Sequence, residues 1–177
     1  GRTLEFDGVS DTLTFSPVEV TKFTVSAWIN YDSSPSVMHV TNTSNDSPGQ
    51  YLSIRTNKIG IHTGSTYLLG GTTLNSGTWY RMVWTWDSSN GNYKLYVNGV
   101  LDAEATNTTY SSANQFIGIG ALDTDATPSA IFAGKMSDFQ LWDAVWSADE
   151  VAYDYANPES LALNASGTAL TEGNLKV

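Results

Sequence analysis

Two acidic loops hold the first residues whose types and spacing could do chemistry. Asp7 and Asp11 close the tight segment Asp7-Gly8-Val9-Ser10-Asp11, and Asp123-Thr124-Asp125 forms a D-x-D pair in a second loop. Calcium gathers several oxygen ligands, typically carboxylates with backbone carbonyls, and short acidic loops supply them. The D-x-D pair lacks the further oxygens and the distal glutamate of an EF-hand, so a solvated loop is its competing reading. Asp7 has a competing role as well, because its carboxylate can accept from amides of its own loop as an Asx-turn.

Carboxylates could also hydrolyse sugars, which requires two of them facing each other across the scissile bond. Asp102 and Glu104 share a face of one strand, but side chains pointing the same way do not flank a substrate. His39 and His62 are the two histidines, each at a strand position where a packed or surface imidazole is the commoner role. No G-x-S-x-G nucleophile elbow is present. These residues point away from an enzyme. Glycan binding asks for less: a flat aromatic face against the C–H patches of the sugar, with amides and carboxylates on its hydroxyls. Tyr31, Tyr67, Tyr110 and Trp146 fall at or near predicted loops, as do Asn42, Asn45, Asp46, Asp123 and Asp125. From this stock the ligand-binding candidates are Tyr31, Tyr67, Tyr110, Asp123 and Asp125.

The elements that must position these residues are strands. Trp79–Asp87 places Tyr80, Met82, Trp84 and Trp86 on one face, a period of two. Ser88–Asn92 is turn chemistry. Tyr93–Val97 sets Tyr93, Leu95 and Val97 against Lys94 and Tyr96. Asn98-Gly99 then suits a two-residue type I′ hairpin, whose two central residues take positive φ. Three indoles in this meander read as core. Upstream, the expected strands are Arg2–Phe6, Thr12–Phe15, Phe23–Asn30 and Val37–Val40, with Pro17–Lys22 as a connector. A hairpin over Tyr51–Thr56 and Lys58–Thr63 turns near Asn57, and Gly64–Leu69 is a short edge strand. Downstream, Phe116–Ile119 and Ala130–Trp142 complete the set, with Phe132, Met136, Phe139 and Leu141 facing the core. Ser147 and Glu150 form an S-x-x-E capping box. It predicts a short helix over about Ala148–Ala156, with Trp142 and Trp146 stapling it to the sheet.

Composition agrees. The 177 residues include six Trp, nine Tyr and six Phe, with charged residues at 15%. That profile fits one β-rich domain with many turns. The net charge is −10, from 18 acidic and 8 basic residues, so nucleic acid and anionic membranes are poor partners. There is no cysteine, hence no disulfide and no thiolate site. No apolar run approaches the ~20 residues of a membrane span. The chain has no initiator Met and reads as a piece of something longer. Residues 1–160 are the expected domain, and 161–177 a linker or the start of a neighbouring module.

Twelve or so short strands imply two packed antiparallel sheets. The segments LEFDGVSDTLTF, FTVSAWIN, GTWYRMVWTWD, KLYVNGVL and GKMSDFQLWDAVWSADEV, in this order and spacing, resemble the laminin G-like, concanavalin A-like jelly-roll superfamily from about Leu4 to Ala156. The resemblance implies an all-β jelly-roll sandwich with one short C-terminal helix. It also implies a structural Ca²⁺ held by some of Asp7, Asp11 and Asp138, because calcium is frequent where such an FDG segment nears the closing strand. Enzymes of this class carry an E-x-D-x-x-E strand; Glu5-Phe6-Asp7 begins that pattern, but Ser10 stands where the second glutamate belongs. The Asn/Ser/Thr-rich style and the tail NPESLALNASGTALTEGNLKV resemble modules of phage structural or receptor-binding proteins. The expected function is therefore a non-catalytic carbohydrate-binding or surface-attachment module of an extracellular or virion protein. Its partners would be a glycan or cell-surface polysaccharide and other modules of the same parent. The alternative is a ligand-free structural or decoration module.

Overall fold

The computed structural model describes residues 2–33, 36–41, 50–63, 67–107, 114–121 and 131–177. Its strands are β1 (Thr3–Asp7), β2 (Leu13–Val20), β3 (Lys22–Tyr31), β4 (Ser36–Thr41), β5 (Gln50–Arg55), β6 (Lys58–Thr63), β7 (Tyr67–Leu69), β8 (Trp79–Asp87), β9 (Asn92–Val97), β10 (Val100–Thr106), β11 (Asn114–Ile119) and β12 (Ala133–Trp142), followed by helix α1 (Ala148–Ala156). They form two six-stranded antiparallel sheets. One runs β1-β12-β3-β8-β9-β10 and carries α1 on its outer face; it is called the helix-side sheet below. The other, the open sheet, runs β2-β11-β4-β5-β6-β7.

Alternation decides what lies between the sheets. Phe23, Val25, Ala27 and Ile29 of β3 turn inward, as do Tyr80, Met82, Trp84 and Trp86 of β8 and Tyr93, Leu95 and Val97 of β9. From the open sheet, Leu52, Ile54, Ile59 and Ile61 meet them. Phe23 stands edge-on to Trp84 with centroids 4.6 Å apart, a geometry aromatic pairs favour. The expected Pro17–Lys22 connector is instead strand: β2 continues to Val20 and β3 begins at Lys22. Pro17 is accommodated because β2 is an edge strand, where a missing N–H leaves no ladder bond unmade. Asn98 and Gly99 take φ of 51° and 81°, as the type I′ turn requires. Thr56 and Asn57 do the same at the β5–β6 tip.

The outer face of the helix-side sheet is buried too. Ser147 accepts from the Glu150 amide while the Glu150 carboxylate accepts from the Ser147 amide, so α1 starts with the full capping box. The Thr24 hydroxyl donates to the Ala144 carbonyl and accepts from the Trp146 amide, which ties the entry turn to β3. Val83, Tyr96, Trp142, Trp146, Val151 and Ala162 form a second apolar cluster there. Residues 161–177, expected as a linker or a neighbouring module, complete this layer. Leu161, Leu163, Leu170 and Leu175 pack on the cluster, and the Lys176 amide donates to the Leu141 carbonyl at 2.8 Å. The physical reason is that Trp142 and Val83 would otherwise face water, and the leucines of a thin-looking tail cover them.

Candidate functional site

The acidic loop after β1 is closed by its own backbone. Asp7 Oδ1 accepts from the amides of Val9, Ser10 and Asp11 at 2.8, 2.8 and 3.1 Å. Asp11 Oδ2 accepts from the Asp7 amide at 2.9 Å. Those amide donors hold the Asp7 carboxyl below its ordinary pKa, the Ser10 bond most of all. Asp138 is elsewhere. Asp7 pairs with Ala133, while Asp138 lies past Ser137, the partner of Thr3, at the other end of the β1–β12 ladder. At about 3.4 Å per residue the two are on the order of 15 Å apart. Asp7, Asp11 and Asp138 therefore do not fit one calcium ion, and among the described residues no three His, Asp or Glu side chains gather to hold a metal.

The lowered pKa of Asp7 gives a signed prediction. A carboxyl whose folded pKa is depressed adds stability above its unfolded value, here 3.8, and loses it as pH falls through the lower folded value. The melting temperature of Asp7→Ala is expected below that of the parent at pH 6. The gap should close as the pH is lowered past 3.8. A gap unchanged between pH 6 and pH 2.5 would show that the loop amides do not stabilise the ionised form.

Asp138 instead belongs to a buried network. A bulge between Ser137 and Gln140 breaks the alternation of β12, and Asp138 takes φ 50°. The bulge keeps Met136, Phe139 and Leu141 toward the core while Gln140 and Trp142 face α1. Arg81, 1% exposed, grips Asp154 of α1 through Nε (2.6 Å) and Nη2 (2.7 Å). Its Nη1 reaches Asp138 Oδ2 at 2.9 Å. Gln140 Nε2 donates to both Asp138 carboxylate oxygens, and Trp142 Nε1 donates to Gln140 Oε1. Burial pushes Asp154 above the usual carboxylate range, Arg81 opposes this, and the charge of Asp138 adds to the rise.

The other candidates separate. Tyr31 is not a ligand contact: it is 2% exposed, and its hydroxyl donates to the Leu74 carbonyl. Burial raises its pKa. It faces inward because it continues the Phe23–Ile29 face of β3, and it pins the segment after β7. Asp102 sits at a bulge of β10 and accepts from the Thr72 amide, so it anchors the same segment rather than pairing with Glu104. His39 lies in β4, opposite Leu52. Tyr110, Asp123, Asp125, Asn42, Asn45 and Asp46 lie outside the described residues.

Tyr67, half-buried, is the solvent-side ring of an aromatic row whose other members, Tyr51 and His62, are buried. On the outer face of the open sheet, Tyr51, His62 and Tyr67 stand in one cross-strand row, paired Tyr51↔His62↔Tyr67 across β5, β6 and β7. Tyr51 stacks on His62 with centroids 4.6 Å apart and 15° between planes. Tyr67 meets His62 edge-on at 4.7 Å, and the Tyr51 and Tyr67 hydroxyls share a hydrogen bond. Burial, then that bond, raises the Tyr51 pKa. The exposed Arg55 lays its guanidinium 4.0 Å from the Tyr67 ring centre. Beside the row Ser53 and Gly60 pair with each other, and the Leu69 side chain covers Gly60. Ser53 Oγ is buried there without a hydrogen-bond partner among the described residues. Tyr51, Ser53 and Arg55 went unnoticed in the sequence, although the β5–β6 tip at Thr56-Asn57 already sets Tyr51 opposite His62.

Comparison with known proteins fits this architecture. Pentraxin-related protein PTX3 of Bos taurus is 26% identical over 110 residues, 57% of this chain and 29% of its own length. The chain thus spans under a third of that relative. A native heptameric SAP-like pentraxin from Limulus polyphemus superposes with TM-score 0.69 at 18% identity, covering 86% of this chain and 81% of that one. Domain 4 of AbnA, a GH43 extracellular arabinanase from Geobacillus stearothermophilus, in complex with arabinotriose, gives 0.66 at 18% identity over 88% and 77%. These relatives lend no support to a phage or virion origin. The laminin G-type family model described as the concanavalin A-like lectin/glucanases superfamily matches residues 7–152, and the chain belongs to that superfamily.

Proposed function

We propose that the chain is a non-catalytic carbohydrate-binding module acting outside the cell, and that it takes glycan on the outer face of the open sheet. The row Tyr51–His62–Tyr67 carries this reading. Tyr67, half-buried, offers the accessible ring, and the buried stack of Tyr51 and His62 braces it. Arg55 extends the surface with a planar cation whose N–H groups can reach sugar hydroxyls or a sugar carboxylate. Arg55 and the half-buried Lys58 at the end of this face, in a chain of net charge −10, let it take acidic as well as neutral glycans. The arabinotriose bound to the AbnA domain supports saccharide as the ligand class.

The test is binding to a broad immobilised glycan panel, in calcium and again in chelator. Binding is expected in both, because the row contains no carboxylate. Tyr67→Ala should weaken it at least about tenfold, or ~1.4 kcal/mol, while Tyr67→Phe retains most of it. Binding unaffected by Tyr67→Ala would move the site off this face. No binding on a panel that captures a control lectin would favour the ligand-free structural module.

A further inference from the structure

A cleft of about 320 Å³ opens on the opposite side of the molecule, between the helix-side sheet and the chain leaving α1. That volume lies at the small end of ligand pockets, enough for one side chain or a small amine. Trp28, half-buried, forms a wall, with Leu161 and Pro158 also lining it. Asp138 and Glu159 supply carboxylates, and none of the lining residues is basic.

The charge count there is uneven. Arg81 is a single cation set against Asp154 and Asp138, both within 2.9 Å of its nitrogens. One negative charge is left over before Glu159 is added. Glu159 is exposed, and among the described residues it has no hydrogen-bond or ion-pair partner. The C-terminal end of α1 leads directly into the cleft-lining residues Pro158 and Glu159, and no basic residue occupies its last turn. Such a helix end carries partial negative charge and favours a cation. An aromatic wall, two carboxylates and a helix C-terminus converge on one small cleft.

We infer that this cleft binds an organic cation, an alkylammonium or guanidinium group, against the Trp28 ring and between Asp138 and Glu159. The Arg81 guanidinium already lies 5.9 Å from the Trp28 ring centre, so the incoming cation shares that ring's quadrupole with it, and the two carboxylates accept its N–H donors. Asp138 is preset for this by Gln140 and Arg81. The cation can be a free amine or a lysine or arginine side chain on a polypeptide; the chemistry at the cleft is the same.

The test is titration of the whole chain, followed by the Trp28 indole N–H in two-dimensional NMR and assigned with Trp28→Phe. Butylammonium, agmatine and the peptide Gly-Gly-Lys-Gly-Gly are the probes. The same peptide with its lysine Nε-acetylated is the neutral control. The charged probes should shift the Trp28 signal and the acetylated peptide should not. Glu159→Gln, at an exposed unpaired site that leaves folding intact, should weaken the charged probes about fivefold while glycan binding at Tyr67 stays unchanged. A peptide binding more tightly than butylammonium assigns the site to polypeptide side chains, and equal binding assigns it to free amines. Shifts as large with the acetylated peptide or a neutral sugar, no shift at millimolar cation, or unchanged affinity in Glu159→Gln would each overturn the inference.

Discussion

Replacing Arg81 by methionine is expected to destabilise the fold by about 3–5 kcal/mol, because it strands Asp154 as a buried charge without its partner. For a chain of this size that corresponds to a fall in melting temperature of roughly 6–20 °C. Both groups are almost inaccessible, at 1% and 2%. The bond is bidentate, and it is what joins α1 to β8 electrostatically. Asp138, 39% exposed, can turn to water when Arg81 is lost; Asp154 cannot.

The pH dependence of that variant separates charge from packing. Asp154 already sits above its ordinary pKa because burial outweighs Arg81. Removing Arg81 raises it further. A carboxyl raised in the folded state stabilises the fold below its unfolded pKa and loses that contribution as pH rises through the folded value. The deficit of Arg81→Met in urea melts should therefore shrink as the pH is lowered from 7 toward 4. The double variant Arg81→Met/Asp154→Leu should recover much of the loss at pH 7, as apolar replacement of a buried pair commonly does. A pH-independent deficit, undiminished in the double variant, would mean that Arg81 acts through packing alone.

The core was legible in the sequence because its cues are local. Alternation along β3, β8 and β9, the Asn98-Gly99 turn and the Ser147–Glu150 box each act within a few residues and read correctly without knowing the fold, except that Trp79, expected in the core with Trp84 and Trp86, is 38% exposed. Arg81 shows where that stops. Its face of β8 looks half-polar, and it becomes interior only because α1 and residues 161–177 return from far along the chain to cover it. Asp138 is set apart from Asp7 by register: the resemblance brings the FDG segment to the closing strand, but Asp7 pairs with Ala133, and Asp138 lies past the opposite end of that ladder. Tyr31 lies one residue past the expected end of β3, so its inward turn follows from the Phe23–Ile29 alternation only once the strand is extended, and its Leu74 partner is a tertiary fact. The aromatic row was half legible. Tyr67 stood out as an aromatic beside a loop, but its meaning depends on β7 pairing so that Tyr67 lies beside His62, which is a tertiary fact.

Ending the chain after Ser160 is expected to lower its melting temperature by roughly 5–15 °C, a loss of a few kcal/mol at the 2–4 °C per kcal/mol typical of this size. Leu161, Leu163, Leu170 and Leu175 are each partly buried on the second apolar cluster, and Ala162 is fully buried. Burying half of each leucine is worth about 1 kcal/mol apiece, and ordering the segment offsets part of it. The truncation also removes the Leu175 bridge to Trp142 and the two amides that donate to the Leu141 carbonyl. Trp142 and Trp146, now 0% and 2% exposed, would be left partly bare. A hydrophobic dye should therefore bind the shortened chain and not the parent. A linker predicts the opposite on both counts, with an unchanged melting temperature and no dye binding. Because the tail covers the helix-side sheet and the aromatic row lies on the open sheet, glycan binding at low temperature should survive the deletion. A shortened chain that loses both stability and glycan binding while still folded would mean that the two faces communicate through the core.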